Sequence, residues 1–222
     1  MDDNALEAGS TAQNNPQDSW TSGQGETDGG VYVPAPDERD RVFQTITLAF
    51  LSDPLSRWIW PDADVYMAFM PRFVEAFCGS AIDLGTAYVA GHHRATALWL
   101  PPGAEPDTGT INALFESTIS PEIGDDLAEL FAKMAACHAA QEPVWYLPMI
   151  GADPAFTGKG YGDAILSRAL QRCDDHGASA YLESSNIRNL SLYLRHGFKP
   201  LDQIQAGGSP TLYPMIRPPK SG

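Results

Sequence analysis

The order of elements legible in the sequence predicts an α/β (α+β) fold, with helices packed around one mixed sheet. Three observations carry this. Helical periodicity dominates residues 38–78, strand-like runs alternate with helices from residue 86 onward, and a glycine-rich turn joins a strand to a helix near residues 151–162. One folded domain is expected over residues 37–222, behind an acidic and polar tail over residues 1–36. The tail is rich in Asp, Asn, Gln, Gly, Ser and Thr, so it lacks the apolar surface that offsets ordering entropy and is expected to be disordered.

The first helix is expected to open at Pro36-Asp37-Glu38, because Val42, Ile46 and Phe50 follow at helical spacing. Asp53-Pro54 restarts the chain, and a second amphipathic helix over residues 64–78 carries Met67, Met70, Phe73 and Phe77. Residues 86–90 and 95–100 flank Gly91-His92-His93 and read as a hairpin, with both histidines expected in a solvated turn. Helices return over residues 111–118 and 121–140, and Pro143 closes them. A strand over 144–150, a helix over 163–176 stopped by Gly177, a strand over 180–183 and a helix over 189–196 stopped by Gly197 come next. Short strands around 198–206 and 212–216 complete the chain, and His196 is expected to act on the helix dipole.

Composition excludes several function classes. The formal charge of -14 argues against nucleic-acid binding, which needs clustered Lys and Arg to displace counterions. Much of that charge lies before residue 41, so it favours a cationic substrate only weakly. No run approaches the ~20 apolar residues of a membrane span, and the expected setting is cytoplasmic, without membrane partners. Cys78, Cys137 and Cys173 are odd in number and widely spaced, so reduced thiols and no metal are expected. The expected assembly is a monomer or a homodimer.

The turn Gly158-Lys159-Gly160-Tyr161-Gly162 puts successive backbone N–H groups on a concave surface at a helix N-terminus. Glycine is needed there because the chain must enter conformations closed to side chains and let phosphate oxygens approach the amides. Lys159 adds a positive charge, and Asp153 is expected to cap the preceding turn. A nucleotide P-loop fails, because no Gly-Lys-Ser/Thr sits at the required distance. A nicotinamide fingerprint comes closer, with Gly160-Tyr-Gly162 and Glu183 at suitable spacing. However, Ile165 stands where its third glycine belongs, and too little chain follows for a doubly wound sheet.

These residues resemble the GNAT superfamily of acyl-CoA-dependent N-acetyltransferases, whose motif reads Arg/Gln-x-x-Gly-x-Gly/Ala after a strand. Residues 157–162 match it except at Thr157, which replaces the Arg or Gln. The later signature of an Asn, then Leu-Tyr followed by Gly-Phe, is similar to Asn186 through Leu192-Tyr193 to Gly197-Phe198. Residues 145–154 look most like a bacterial and fungal subgroup that includes puromycin-type acetyltransferases.

The resemblance implies a mostly antiparallel central sheet with a splayed strand pair at an acetyl-CoA site. It implies that backbone groups of Ile150, Gly151 and Ala152 bind the pantetheine and acetyl end. The amides of Gly158, Lys159, Gly160, Tyr161, Gly162 and Asp163 would hold the pyrophosphate, with Asn186 and Asn189 as polar contacts. Tyr193 is the expected proton donor to the departing thiolate, and Glu183 is expected either to deprotonate the amine or to orient it. The aromatic residues Trp58, Trp60, Trp99, Trp145, Phe69, Phe73 and Tyr146 read mostly as core, and any that face the cleft imply a small, partly apolar amine. A small-molecule N-acetyltransferase leads. A protein or peptide N-acetyltransferase and a CoA-binding regulatory module without turnover stand beside it.

Overall fold

The computed structural model describes residues 30–220. Seven strands form one sheet: β1 (Val31–Tyr32), β2 (Ala87–Ala90), β3 (Ala95–Leu100), β4 (Val144–Ala152), β5 (Ser179–Ser184), β6 (Lys199–Pro200) and β7 (Tyr213–Arg217). Their spatial order is β1-β2-β3-β4-β5-β7-β6. Neighbours run antiparallel except β4 and β5, which run parallel and are joined by a crossover helix. Among the described residues eight α-helices cover the two faces: α1 (Arg39–Ala49), α2 (Pro54–Ile59), α3 (Ala63–Cys78), α4 (Ser80–Asp83), α5 (Thr108–Thr118), α6 (Gly124–Ala139), α7 (Tyr161–Asp175) and α8 (Leu190–Arg195).

Helix starts follow side-chain chemistry. Asp53 caps α2 by accepting from the Ser56 amide at 3.0 Å, and Asp62 caps α3 by accepting from Asp64 and Val65, each at 2.9 Å. Asp107 caps α5 in the same way through Thr110. The strands sort their side chains by alternation. Val144, Tyr146 and Tyr181 enter the core beneath α1, α3 and α5, while Trp145, Leu147, Ala180 and Leu182 enter the core beneath α7 and α8. With both faces covered, β2 and β3 are buried at every position. The mixed, mostly antiparallel sheet flanked by helices matches the expected fold class.

The chain joins the sheet earlier than residue 37. Val31 and Tyr32 pair with Ala90 and Val89, and Val31 and Val33 pack against the α7 side of the core. A strand this short carries no readable alternation. Its hydrogen bonds come from the edge of β2, which local sequence does not report. The rest of the expected tail, residues 1–29, lies outside the described residues.

His93 also departs from its expected solvated role. It occupies a left-handed position in the turn, with φ of 68°, and its side chain is 6% exposed. Its Nε2 lies 2.7 Å from Glu38 Oε1 and 3.2 Å from the Tyr32 hydroxyl, so it pins β1 and the start of α1 to the hairpin. Those partners are 55 and 61 residues away in sequence, which is why the turn alone pointed to solvent. Cys78 and Cys173 are buried, and burial pushes both thiols up, that of Cys173 to about 12. Among the described residues no helix is long and apolar enough to cross a membrane.

Candidate active site

The site begins where β4 and β5 part. They pair only from Val144 opposite Ser179 to Tyr146 opposite Tyr181. Beyond that, β4 stays with β3 as far as Ala152, and β5 stays with β7 as far as Ser184. The facing edge of β4 from Leu147 to Ala152 therefore has no strand partner, and Pro148 within it has no amide hydrogen to offer. Gly151 lets α1 close on this strand, because a Cβ there would lie 2.3 Å from Ala49 Cβ. A cavity of about 580 Å³ occupies the gap, bordered by Ile150, Gly151 and Ala152.

The glycine turn forms one wall of that cavity. Gly158 and Gly160 have φ of 72° and 84°, in the left-handed region, and a Cβ at either would meet open space. Backbone conformation rather than crowding therefore selects glycine at both. The α7 helix starts at Tyr161, so its first amides have no helical partner. Among the described residues none of the amides from Gly158 to Asp163 donates a hydrogen bond to protein. Such a set of free donors at a helix N-terminus fits a diphosphate.

Gly158, Gly160, Gly162 and Asp163 border the cavity, but the side chains of Lys159 and Tyr161 do not. The Tyr161 hydroxyl instead accepts from Arg94 Nη1 at 3.0 Å, and Lys159 is exposed. Asp163 bonds His196 Nε2 at 2.9 Å, tying α7 to the end of α8. The Thr157 hydroxyl donates to the Pro154 carbonyl at 3.2 Å, and Asp153 caps its turn through the Ala155 amide at 2.8 Å.

The opposite wall carries the titratable groups. Tyr193 on α8 is 5% exposed, and its hydroxyl makes no hydrogen bond among the described residues. Burial, reinforced by the negative charge of Asp53, pushes its pKa up, so it keeps its proton at neutral pH. Glu183 lies on β5 past the point of splay. Its Oε1 accepts from the Tyr181 hydroxyl at 2.7 Å, while its Oε2 is sealed from solvent with no partner among the described residues. Burial raises the Glu183 pKa to about 7, against the opposing pull of the Tyr181 and Tyr146 phenols. A carboxylate poised there can take a proton near neutral pH.

Asn186 and Asn189 border the same cavity. Asn186 Oδ1 accepts from the Arg188 amide at 3.0 Å, which orders the turn leading into α8.

Asp53, Ser185 and Arg195 are among the cavity residues that sequence reading did not place in the site. Asp53 accepts from the Ser185 hydroxyl as well as capping α2, and burial raises its pKa. Its one sequence signal, Asp before Pro, reports a helix start. The contact with Ser185 spans 132 residues and exists only in the fold.

The model of the acetyltransferase (GNAT) family matches residues 125–198, which span α6, the splayed strands, the glycine turn and α8. An uncharacterized N-acetyltransferase of Schizosaccharomyces pombe is 23% identical over 173 residues, covering 69% of this chain and 68% of that protein. Among solved structures, a histone acetyltransferase HPA2 and related acetyltransferase from Corynebacterium glutamicum superposes with a TM-score of 0.62. It is 23% identical, over 87% of this chain and 97% of that one. The Drosophila melanogaster polyamine N-acetyltransferase, which forms N-acetylagmatine, superposes with a TM-score of 0.61 at 15% identity, over 85% and 98% of the two chains. These two likenesses concern the fold, and none of the matches singles out the puromycin-type subgroup. Residues 125–198 thus carry the pattern of the acetyltransferase (GNAT) family, and the chain shares the fold of the solved acetyltransferases it resembles.

Proposed function

We propose that the protein moves an acetyl group from acetyl-CoA to the primary amine of a small molecule, with Glu183 as general base and Tyr193 as general acid. The observation that carries this reading is one cavity that holds the unpartnered edge of β4, the free amides of residues 158–163, Glu183 and Tyr193 together. Backbone groups of Ile150, Gly151 and Ala152 hold the pantetheine and acetyl end, the amides of Gly158 to Asp163 hold the diphosphate, and Asn186 and Asn189 add polar contacts. Lys159 and Tyr161 contribute through their backbone amides. The thioester of acetyl-CoA supplies an activated acyl carbon when bound.

The proton balance follows from the two side chains. Glu183 takes one proton from the incoming ammonium, which frees the nitrogen lone pair for attack on the acyl carbon. The carbon–nitrogen bond forms, the carbon–sulfur bond breaks, and Tyr193 gives its proton to the departing thiolate. The second proton shed by the nitrogen restores Tyr193, so the products are an N-acetyl amine, a free thiol and one proton on Glu183. The Drosophila relative in fold acts on a small amine, and that supports the same acceptor class here.

Thiol release from acetyl-CoA, measured across panels of small amines and of peptides, tests the reading. Release with small amines and not with peptides is expected. Binding of acetyl-CoA with no release on any amine would overturn it in favour of a regulatory module.

A further inference from the structure

A second cavity, of about 530 Å³, lies between α3, α5 and α6. It meets the first at a common wall, because Phe77, Phe131, Met134, Tyr146 and Glu183 line both. Resting on the acetyl-transfer reading above, we infer that this second cavity is the acceptor site, and that it takes a primary amine with one cationic head and an aromatic-sized apolar body.

Four features of the cavity specify that occupant. Its inner end is Glu183, whose Oε2 is buried without a partner among the described residues. A buried carboxylate oxygen with no donor costs free energy, and an ammonium arriving there supplies the donor. Between that end and solvent the walls are mostly rings and aliphatic chains, with the His138 imidazole stacked on Tyr181 beside them. Phe77, Phe115 and Phe131 meet edge to face or nearly so, with centroids 5.5 Å apart for Phe115 and Phe131 and 6.5 Å for Phe77 and Phe131. Ile111 and Leu127 complete the apolar middle.

A second ammonium placed in that middle would lose its hydration and meet no carboxylate there, which disfavours a polycation. The volume is in the range that encloses a small organic molecule. At the outer end stand the exposed carboxylates of Glu105 and Glu116, which raise the local concentration of cations at the mouth. The acceptor thus enters from the α5–α6 side with its nitrogen leading, while the cofactor lies along β4 and the glycine turn. The two substrates meet at Glu183.

Initial rates with acetyl-CoA and phenethylamine, methylamine or spermidine, on the full chain and on Ala128→Trp, test the inference. Ala128 is exposed on α6 and lines only the second cavity, so the substitution fills the space without touching the cofactor wall. Phenethylamine is expected to exceed methylamine in kcat/KM by at least about a hundredfold. Ala128→Trp is expected to weaken apparent phenethylamine binding, read as a rise in its KM, by at least about tenfold while the Kd for acetyl-CoA stays unchanged. Preference for spermidine, or an unaltered KM in the variant, would overturn the inference.

Equilibrium binding of phenethylamine to the protein saturated with CoA separates the two readings. Saturable binding that Ala128→Trp weakens by at least about tenfold supports the acceptor site even if no thiol is released, an outcome that sinks acetyl transfer alone. No binding to the wild-type chain sinks the acceptor site.

Discussion

The Tyr181 hydroxyl donates to Glu183 Oε1 at 2.7 Å, although the two residues are neighbours on the same face of one strand. In β5 residues two apart point the same way, so the pair is built by alternation alone. The bond favours the ionised carboxylate, against burial, which favours the neutral acid.

A pH dependence follows, with its sign. Glu183 acts only when ionised, so kcat/KM should rise with pH through about 7, where its pKa lies. Tyr181→Phe removes a donor that stabilises the ionised form, so the rising limb should move to higher pH. Glu183→Gln should lower kcat by about 10²-fold or more and abolish that limb. Steady-state rates measured from mildly acidic to mildly alkaline pH check all three, and a limb unmoved in Tyr181→Phe contradicts the coupling.

Tyr193→Phe keeps the ring that packs edge-on to Phe198 at 6.0 Å and removes only the hydroxyl. The expected result is a fall in kcat of about 10²-fold with unchanged thermal stability and an unchanged Kd for acetyl-CoA. Equal losses in stability and kcat would mark Tyr193 as a core residue.

The contact between Gly151 and Ala49 allows a test of how the site is framed. Gly151→Ala places its Cβ against Ala49 Cβ and should cost about 1–3 kcal/mol by forcing α1 off β4. Adding Ala49→Gly should recover part of that loss, so the double variant is more stable than the sum of the two single changes. Urea unfolding of the four proteins gives the coupling energy.

Arg217 is 2% exposed and grips both oxygens of Asp174, at 2.8 and 2.7 Å, locking β7 to the end of α7. That grip holds the Asp174 carboxyl below its usual range. A depressed folded-state pKa stabilises the fold at pH values above the unfolded pKa, and the contribution is lost as pH falls through the folded value. Asp174→Asn should therefore cost about 3 kcal/mol at neutral pH, and the gap to wild type should shrink in acid. Unfolding midpoints at neutral and acid pH measure it, and a constant gap would contradict the ion-pair assignment.

Periodicity and punctuation made the helices and most strands readable, since Val42 and Ile46, or Trp145 against Tyr146, obey spacings that only one geometry satisfies. The glycines at 158, 160 and 162, the Leu192-Tyr193 pair and the Gly197-Phe198 turn pointed to the cofactor wall for the same local reason. What the chain alone did not report is whatever depends on partners distant in sequence. The pairing of Val31 with Ala90, the burial of His93 against Glu38 and the meeting of Asp53 with Ser185 each join segments that local rules treat separately. The same holds for Glu183. Its residue type and strand were evident, but its raised pKa arises from desolvation between two cavities, and burial belongs to the packed whole rather than to any stretch of it.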